Sequence, residues 1–261
     1  MRALRLLGLF FWVGLLNELE YRVNFLLQAL QTLLSVGTAL AGLAVVFQHT
    51  RSLGGWEAAE LVVLLGVFQT VAGLMGMVIG PSFERLMRDV REGTLDFVLT
   101  KPVSAQFLVS IRQVAVWRLA DVVVGLALVV TGGLQYGARV GLGQVLLFVL
   151  VLAAGVIIVY SFRLILATLT FWVVRVENIM VIFGSLYEAG RLPVSLYPDW
   201  LRVVLTFLVP VAFATTVPAE ALTGRLTVEN LALALVLAVG LFGVASAFWR
   251  YGLRHYTGAS A

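Results

Sequence analysis

PSFERLMRDVREGTLDFVLTKPVSAQFLVSIR, residues Pro81 to Arg112, is a charged island in an otherwise greasy chain. It holds Glu84, Arg85, Arg88, Asp89, Arg91, Glu92, Asp96, Lys101 and Arg112, nine of the 32 charged side chains, and so belongs in water. Apolar runs long enough to cross a bilayer flank it on both sides. A polar segment between two spans, too short to be a domain, is a natural docking element for a soluble partner.

Outward from the island the chain reads as one all-α integral membrane domain over 1–261. Of its 261 residues 61% are hydrophobic and 12% charged, whereas soluble domains average about 25% charged. Spans are predicted over about Val23–Phe47, Ala58–Gly80, Val114–Thr131, Gly143–Val174, a fifth starting after Glu177, and Leu231–Trp249. Residues 1–22 carry Arg2 and Arg5 before the short apolar run Leu6–Leu16. With no small-x-small cleavage site after it, that run reads as an interfacial helix with Phe10 and Trp12 dipped into the headgroups.

Basic residues set the orientation. An inside N-terminus puts Arg2, Arg5, Arg22, Arg85, Arg88, Arg91, Lys101, Arg112, Arg118, Arg175, Arg250 and Arg254 on the cytoplasmic side. Arg51, Arg139, Arg202 and Arg225 face out, and Arg191 stays unassigned. This excess of inner positive charge makes both termini and the island cytoplasmic. The net charge of +4 is spread over short loops, which speaks for orientation and against nucleic-acid binding. Gly66, Gly73, Gly76 and Gly80 in span two, and Gly37 with Ala41 in span one, predict close helix packing within the chain.

Pro193, Pro198, Pro210 and Pro218 interrupt an apolar stretch near the end. No continuous helix tolerates that density, so 191–222 is expected to form outer re-entrant helices between spans five and six, a break tolerated at membrane depth where it packs against protein. Glu188 and Arg191 share a helix face deep in span five. They form either a functional pair or a neutralising one that fastens the span to the re-entrant segment. Arg163 is expected to snorkel to the inner interface, and Arg118 with Asp121 to pair structurally.

The usual catalytic signatures are missing from the sequence. It has no cysteine, and its two histidines, His49 and His255, are far apart. The only lysine precedes Pro102, so no phosphate-binding G-x-x-x-x-G-K-[ST] loop exists. No catalytic or metal-binding residue is expected. Any work on a substrate is powered from outside the chain.

Two ordered motifs carry a resemblance. Glu92-Gly93-Thr94-Leu95-Asp96-Phe97-Val98-Leu99-Thr100-Lys101-Pro102-Val103 resembles the cytoplasmic signature of type-2 ATP-binding-cassette exporter permeases. Gly190, Pro198-Asp199-Trp200-Leu201, Val209-Pro210 and Pro218 resemble that family's second signature, although the region is richer in proline. The junction Trp172–Asn178 is similar to the toxicant- and antibiotic-export subgroup. The resemblance implies six spans, an N-terminal interfacial helix, a cytoplasmic coupling helix between spans two and three, and outer re-entrant helices. It implies pairing with a second permease, identical or paralogous, and with separate ATPase subunits that hold ATP and magnesium, leaving this chain without a cofactor.

On that reading Glu84, Arg85, Arg88, Glu92, Gly93, Thr94, Leu95, Asp96, Lys101 and Pro102 are the ATPase-coupling residues, with Leu86, Leu95, Phe97 and Leu99 giving apolar grip. Glu188, Arg191, Pro193, Pro198, Trp200 and Pro210 form the outer re-entrant gate. The function implied is ATP-driven export of an amphiphilic or lipid-like small molecule through an apolar cavity. The competing readings are a secondary transporter or channel without an ATPase, expected to show repeats and buried titratable groups, and a structural membrane anchor.

Overall fold

The computed structural model describes residues 8–16, 22–136, 140–173 and 176–256. The remainder of the 1–22 segment, Arg139, the centre of the Trp172–Asn178 junction and 257–261 lie outside the described residues. Those described are almost entirely helical. Five helices are long and apolar enough to cross a membrane: Phe25–His49, Ala58–Arg91, Val116–Tyr136, Leu142–Phe171 and Val228–His255.

Helix α1 covers 8–16 and α2 is Arg22–His49. Phe10 packs on the core while Trp12 stays exposed, so α1 turns only one of its two expected anchors outward. α3 (Ala58–Leu74) runs through a π-helical turn, Met75–Ile79, straight into α4 (Gly80–Arg91). The predicted end of span two at Gly80 is therefore not a chain break. The cause is local: Pro81 has no N–H for the Met77 carbonyl one turn back, and a wider turn accommodates the proline. The Ala115 N–H takes that carbonyl instead, at 2.7 Å.

Two short helices, α5 (Asp96–Leu99) and α6 (Ala105–Ile111), and a 3₁₀ turn, Val116–Arg118, lead into α7 (Leu119–Tyr136). α8 is Leu142–Thr168 and α9 is Val176–Glu188. Three short helices follow, α10 (Asp199–Val203), α11 (Val211–Ala214) and α12 (Thr216–Thr223), and then α13 (Val228–His255).

α3 and α7 pack along glycines. A Cβ at Gly66 would lie 2.6 Å from the Val129 nitrogen, and one at Gly125 2.5 Å from the Thr70 nitrogen. Gly73 meets Val122 and Gly132 meets Val63 in the same way. For Gly66 and Gly73 this is the predicted packing within the chain, whereas Gly37 and Gly80 make no such close approach, a Cβ at Gly37 meeting nothing within 4 Å. Because the obstacles are backbone atoms that cannot turn aside, Gly66→Ala and Gly125→Ala are each expected to destabilise the bundle by about 1–3 kcal/mol. Thermal melting in detergent reads this as a lowered midpoint. α2, by contrast, lies on the bundle's outside, with only 6% of its apolar window buried.

α9 is too short to cross. Its Tyr187 hydroxyl reaches the Phe68 carbonyl at 3.5 Å, and Arg191 stacks on the Phe68 ring. Phe68 lies about 15 Å from the Ala58 end of α3. From there the chain passes through Pro193 to Leu196, which touches Gly54 beyond that end. α10 leads back down to α11, which sits against Gly155 of α8, and α12 climbs again so that Arg225 meets Glu60. Both described ends of the chain lie at the Arg91 end of the rod. Gly14 abuts Val114, and Tyr256 sits beside the backbone of Leu95 and Asp96.

Candidate functional site

The island folds into a rigid elbow. α4 is amphipathic: Ser82, Phe83, Leu86, Met87 and Asp89 are buried, while Glu84, Arg85, Arg88 and Arg91 face solvent. It ends in a Schellman turn, the Thr94 N–H donating to Asp89 O at 2.8 Å and the Gly93 N–H to Val90 O at 3.4 Å. Gly93 sits at φ +68°, a left-handed conformation in which a side chain is strained. This is the physical reason for glycine in the Glu92-Gly93-Thr94-Leu95 run.

Asp89, only 2% exposed, holds the turn together. Its carboxylate accepts from Arg85 at 2.9 Å, from the Thr94 hydroxyl at 3.1 Å and from Arg112 across the elbow. Burial lowers the Arg112 pKa from its ordinary value, and the Asp89 charge opposes that shift. The elbow is also tied to the spans. The Ser82 hydroxyl donates to Gln113 O and accepts from Gln113 N–H, Ser110 bonds Tyr160 of α8, and Gln106 donates to Ser246 of α13. The elbow therefore contacts α8 and α13 directly.

The sequence-derived residues divide by exposure. Glu84, Arg85, Arg88, Glu92, Lys101 and Pro102 are exposed, with Asp96 and Thr94 half-buried. Leu86 and Leu95 are fully buried, which corrects their expected role: they shape the elbow and offer no surface to a partner. Of the other apolar residues expected to give grip, Leu99 is half-buried and Phe97 is 74% exposed at the tip.

Glu188 and Arg191 lie part-way along the rod, Arg191 over the Phe68 ring and Glu188 in a cavity with Met75 and Gly80. Glu188 and Arg191 make the expected ion pair, 2.7 Å apart. Pro193 and Pro210 are buried, whereas Pro198 and Trp200, at the start of α10, are exposed. Glu188 shares a cavity with Pro81 and Glu84 of the island.

Three further polar assemblies escaped the sequence reading or were underweighted by it. Asp121 pairs with Arg118 at 2.9 Å as expected, but it also accepts from Gln69 of α3 at 2.9 Å and Thr32 of α2 at 2.5 Å. At the Ala58 end of the rod Glu60, 1% exposed, pairs with Arg225 at 2.6 Å and accepts the Glu57 N–H at 2.7 Å. Arg225 also donates to Gly55 O and stacks on Trp56. Replacing Glu60 with Gln is expected to cost about 2–3 kcal/mol, below the usual figure for a fully buried pair because Arg225 keeps some access to water. A double-mutant cycle with Arg225→Gln, read by thermal denaturation, measures the coupling. The third assembly is Arg163, whose Nε is buried without a hydrogen-bond partner among the described residues and whose guanidinium lies over the Phe183 ring at 5.3 Å. Simple snorkelling leaves that nitrogen unexplained.

Residues 33–260 match the family model described as ABC-2 family transporter protein. The chain belongs to the ABC-2 transporter family. No curated protein and no solved structure matches it. The ABC-2 match spans the elbow, all five long apolar helices apart from the start of α2, and the broken outer segment. The ABC-2 chain is thus a multi-pass membrane protein and a permease-type transporter subunit. Among its described residues no group of His, Asp and Glu is placed to hold a metal ion.

Proposed function

We propose that this chain is the permease of an ATP-driven exporter that moves an amphiphilic or lipid-like small molecule across the cell membrane, driven by separate ATP-binding-cassette ATPase subunits. The observation that carries the proposal is the rod Ala58–Arg91. Its 34 residues extend about 51 Å against a hydrocarbon core of about 30 Å. About 20 Å of helix therefore stands in water, ending in the Asp89-organised elbow with Phe97 at its tip. A helix that continues unbroken from membrane to docking surface transmits displacement without loss at a hinge.

The proposed membrane layout has six crossings. α9 and the extended stretch after it together form the fifth, and α10–α12 dip into the outer leaflet and return. Location of both described chain ends at the elbow end supports an even number of crossings with cytoplasmic termini. α2, almost bare on the single chain, is the natural surface for a second permease, and its apolar character suits a lipid-like cargo. Export of antibiotics or other toxicants belongs to the same proposal and rests on the Trp172–Asn178 resemblance.

The test is reconstitution. Vesicles holding this permease with its genome-neighbour ATPase should export a fluorescent amphiphile only with ATP present and only with both proteins present. Movement of solute by the permease alone would contradict the proposal.

A further inference from the structure

Arg163 lies about 32 Å along α8 from its Leu142 end, and Gly80 a similar distance along the rod, so both sit at the inner boundary of the bilayer. Arg163 lies beside Gly80, where a Cβ would be in ordinary contact, 3.6 Å from Nη1. Two cavities meet at this guanidinium. One, about 420 Å³, opens between α4 and α9. Its walls carry the apolar Phe83, Met87, Met180 and Val181, and the basic Arg88, Arg91 and Arg163 against the single carboxylate of Glu84. The other, about 400 Å³, also contains Glu188 and Arg118, but those two are already paired with Arg191 and Asp121. No described residue lies within salt-bridge distance of Arg163. A buried Nε without a hydrogen-bond partner is costly, the nearby Glu84 carboxylate lies beyond salt-bridge distance, and the planar guanidinium fork matches a phosphate.

We infer that the cavity between α4 and α9 binds the phosphate headgroup of an anionic membrane lipid, held by Arg163 and Arg88, with its acyl chain lying along the exposed Val181 face of α9. The geometry fits a molecule that is charged at one end and apolar at the other. The headgroup reaches the arginines at the water boundary, and Val181 at the mouth leaves the chain in the bilayer. The site shares Glu84 and Arg88 with the residues expected to couple to the ATPase, but lipid binding requires no ATPase, so it is tested separately from the transport proposal.

Native mass spectrometry of the purified permease, released from nanodiscs of mixed phosphatidylglycerol and phosphatidylcholine, tests this. Wild type is expected to retain phosphatidylglycerol in preference to phosphatidylcholine. Arg163→Gln is expected to reduce that preference about tenfold, and Arg163→Lys to restore part of it. Val181→Trp, which blocks the mouth without touching a charge, is expected to reduce it as well and serves if Arg163→Gln fails to fold. Arg250→Gln, remote from the cavity, should change nothing. An equal response to Arg250→Gln would show a diffuse surface effect and overturn the site. So would wild-type preference in both Arg163→Gln and Val181→Trp. A soluble arm separates the sources: if glycerol phosphate displaces the lipid at equal concentration, the site recognises free phosphate and the lipid assignment fails.

Discussion

Asp89→Ala is expected to leave the permease inserted in the membrane and to reduce ATP-driven export at least about tenfold. The carboxylate is buried and holds three partners from both arms of the elbow, and Arg112 among them is itself nearly enclosed. Removing it leaves that guanidinium buried without its counter-charge, at a local cost of about 3–5 kcal/mol. The long apolar helices do not depend on this pair, so damage is confined to residues between α4 and α6. Hydrogen exchange should show it as faster exchange at Thr94 and the short helices, with α7 and α8 still protected. Asp89→Asn keeps the shape and one acceptor, and should fall between wild type and alanine. Wild-type export in the alanine variant would show that elbow order is irrelevant to coupling.

Asp121→Ala is expected to destabilise the bundle by about 2–4 kcal/mol and to release α2 from it. One carboxylate joins three helices, taking Thr32 from α2, Gln69 from α3 and Arg118 from the start of α7. Arg118 is half exposed and can turn to the headgroups, which keeps the loss below that of a fully enclosed ion pair. Gln69 has no such escape. α2 otherwise contributes little buried surface, so this polar latch is the main thing fixing its position on a single chain. The chain has no native cysteine, so spin labels at Val36→Cys and Val67→Cys can report the α2–α3 distance directly. A broadened distribution in Asp121→Ala is expected. An unchanged one, with an unchanged melting point, would mean that α2 is held by something else.

Much of this was legible in the residues. The apolar runs located four of the long helices to within about six residues at each end, missed the extension of the second to Arg91 and overestimated the fifth, and the charged island marked the elbow. Gly93 was readable as a left-handed helix end once Glu92 and Thr94 flanked it. Asp89 carried an overlooked signal: it falls on the same helical stripe as Ser82, Phe83 and Leu86, so a carboxylate points into an apolar face. The continuity of α3 into α4 was hidden because Gly80-Pro81 reads as a break. Only the Ala115–Met77 bond, from a segment over thirty residues on, shows why the helix survives. Glu60 and Arg225 are far apart in sequence, and no local pattern announces such a pair. The depth of Arg163 was legible, but position along a span does not indicate which neighbours surround the guanidinium.

Single-cysteine labelling at Phe97→Cys tests the central claim most directly. The variant is placed in inside-out and right-side-out vesicles and treated with a membrane-impermeant maleimide. The account predicts labelling only from the cytoplasmic side, and strong protection when the partner ATPase is bound. Labelling from the outer side, or equal labelling with and without the bound ATPase, would contradict it.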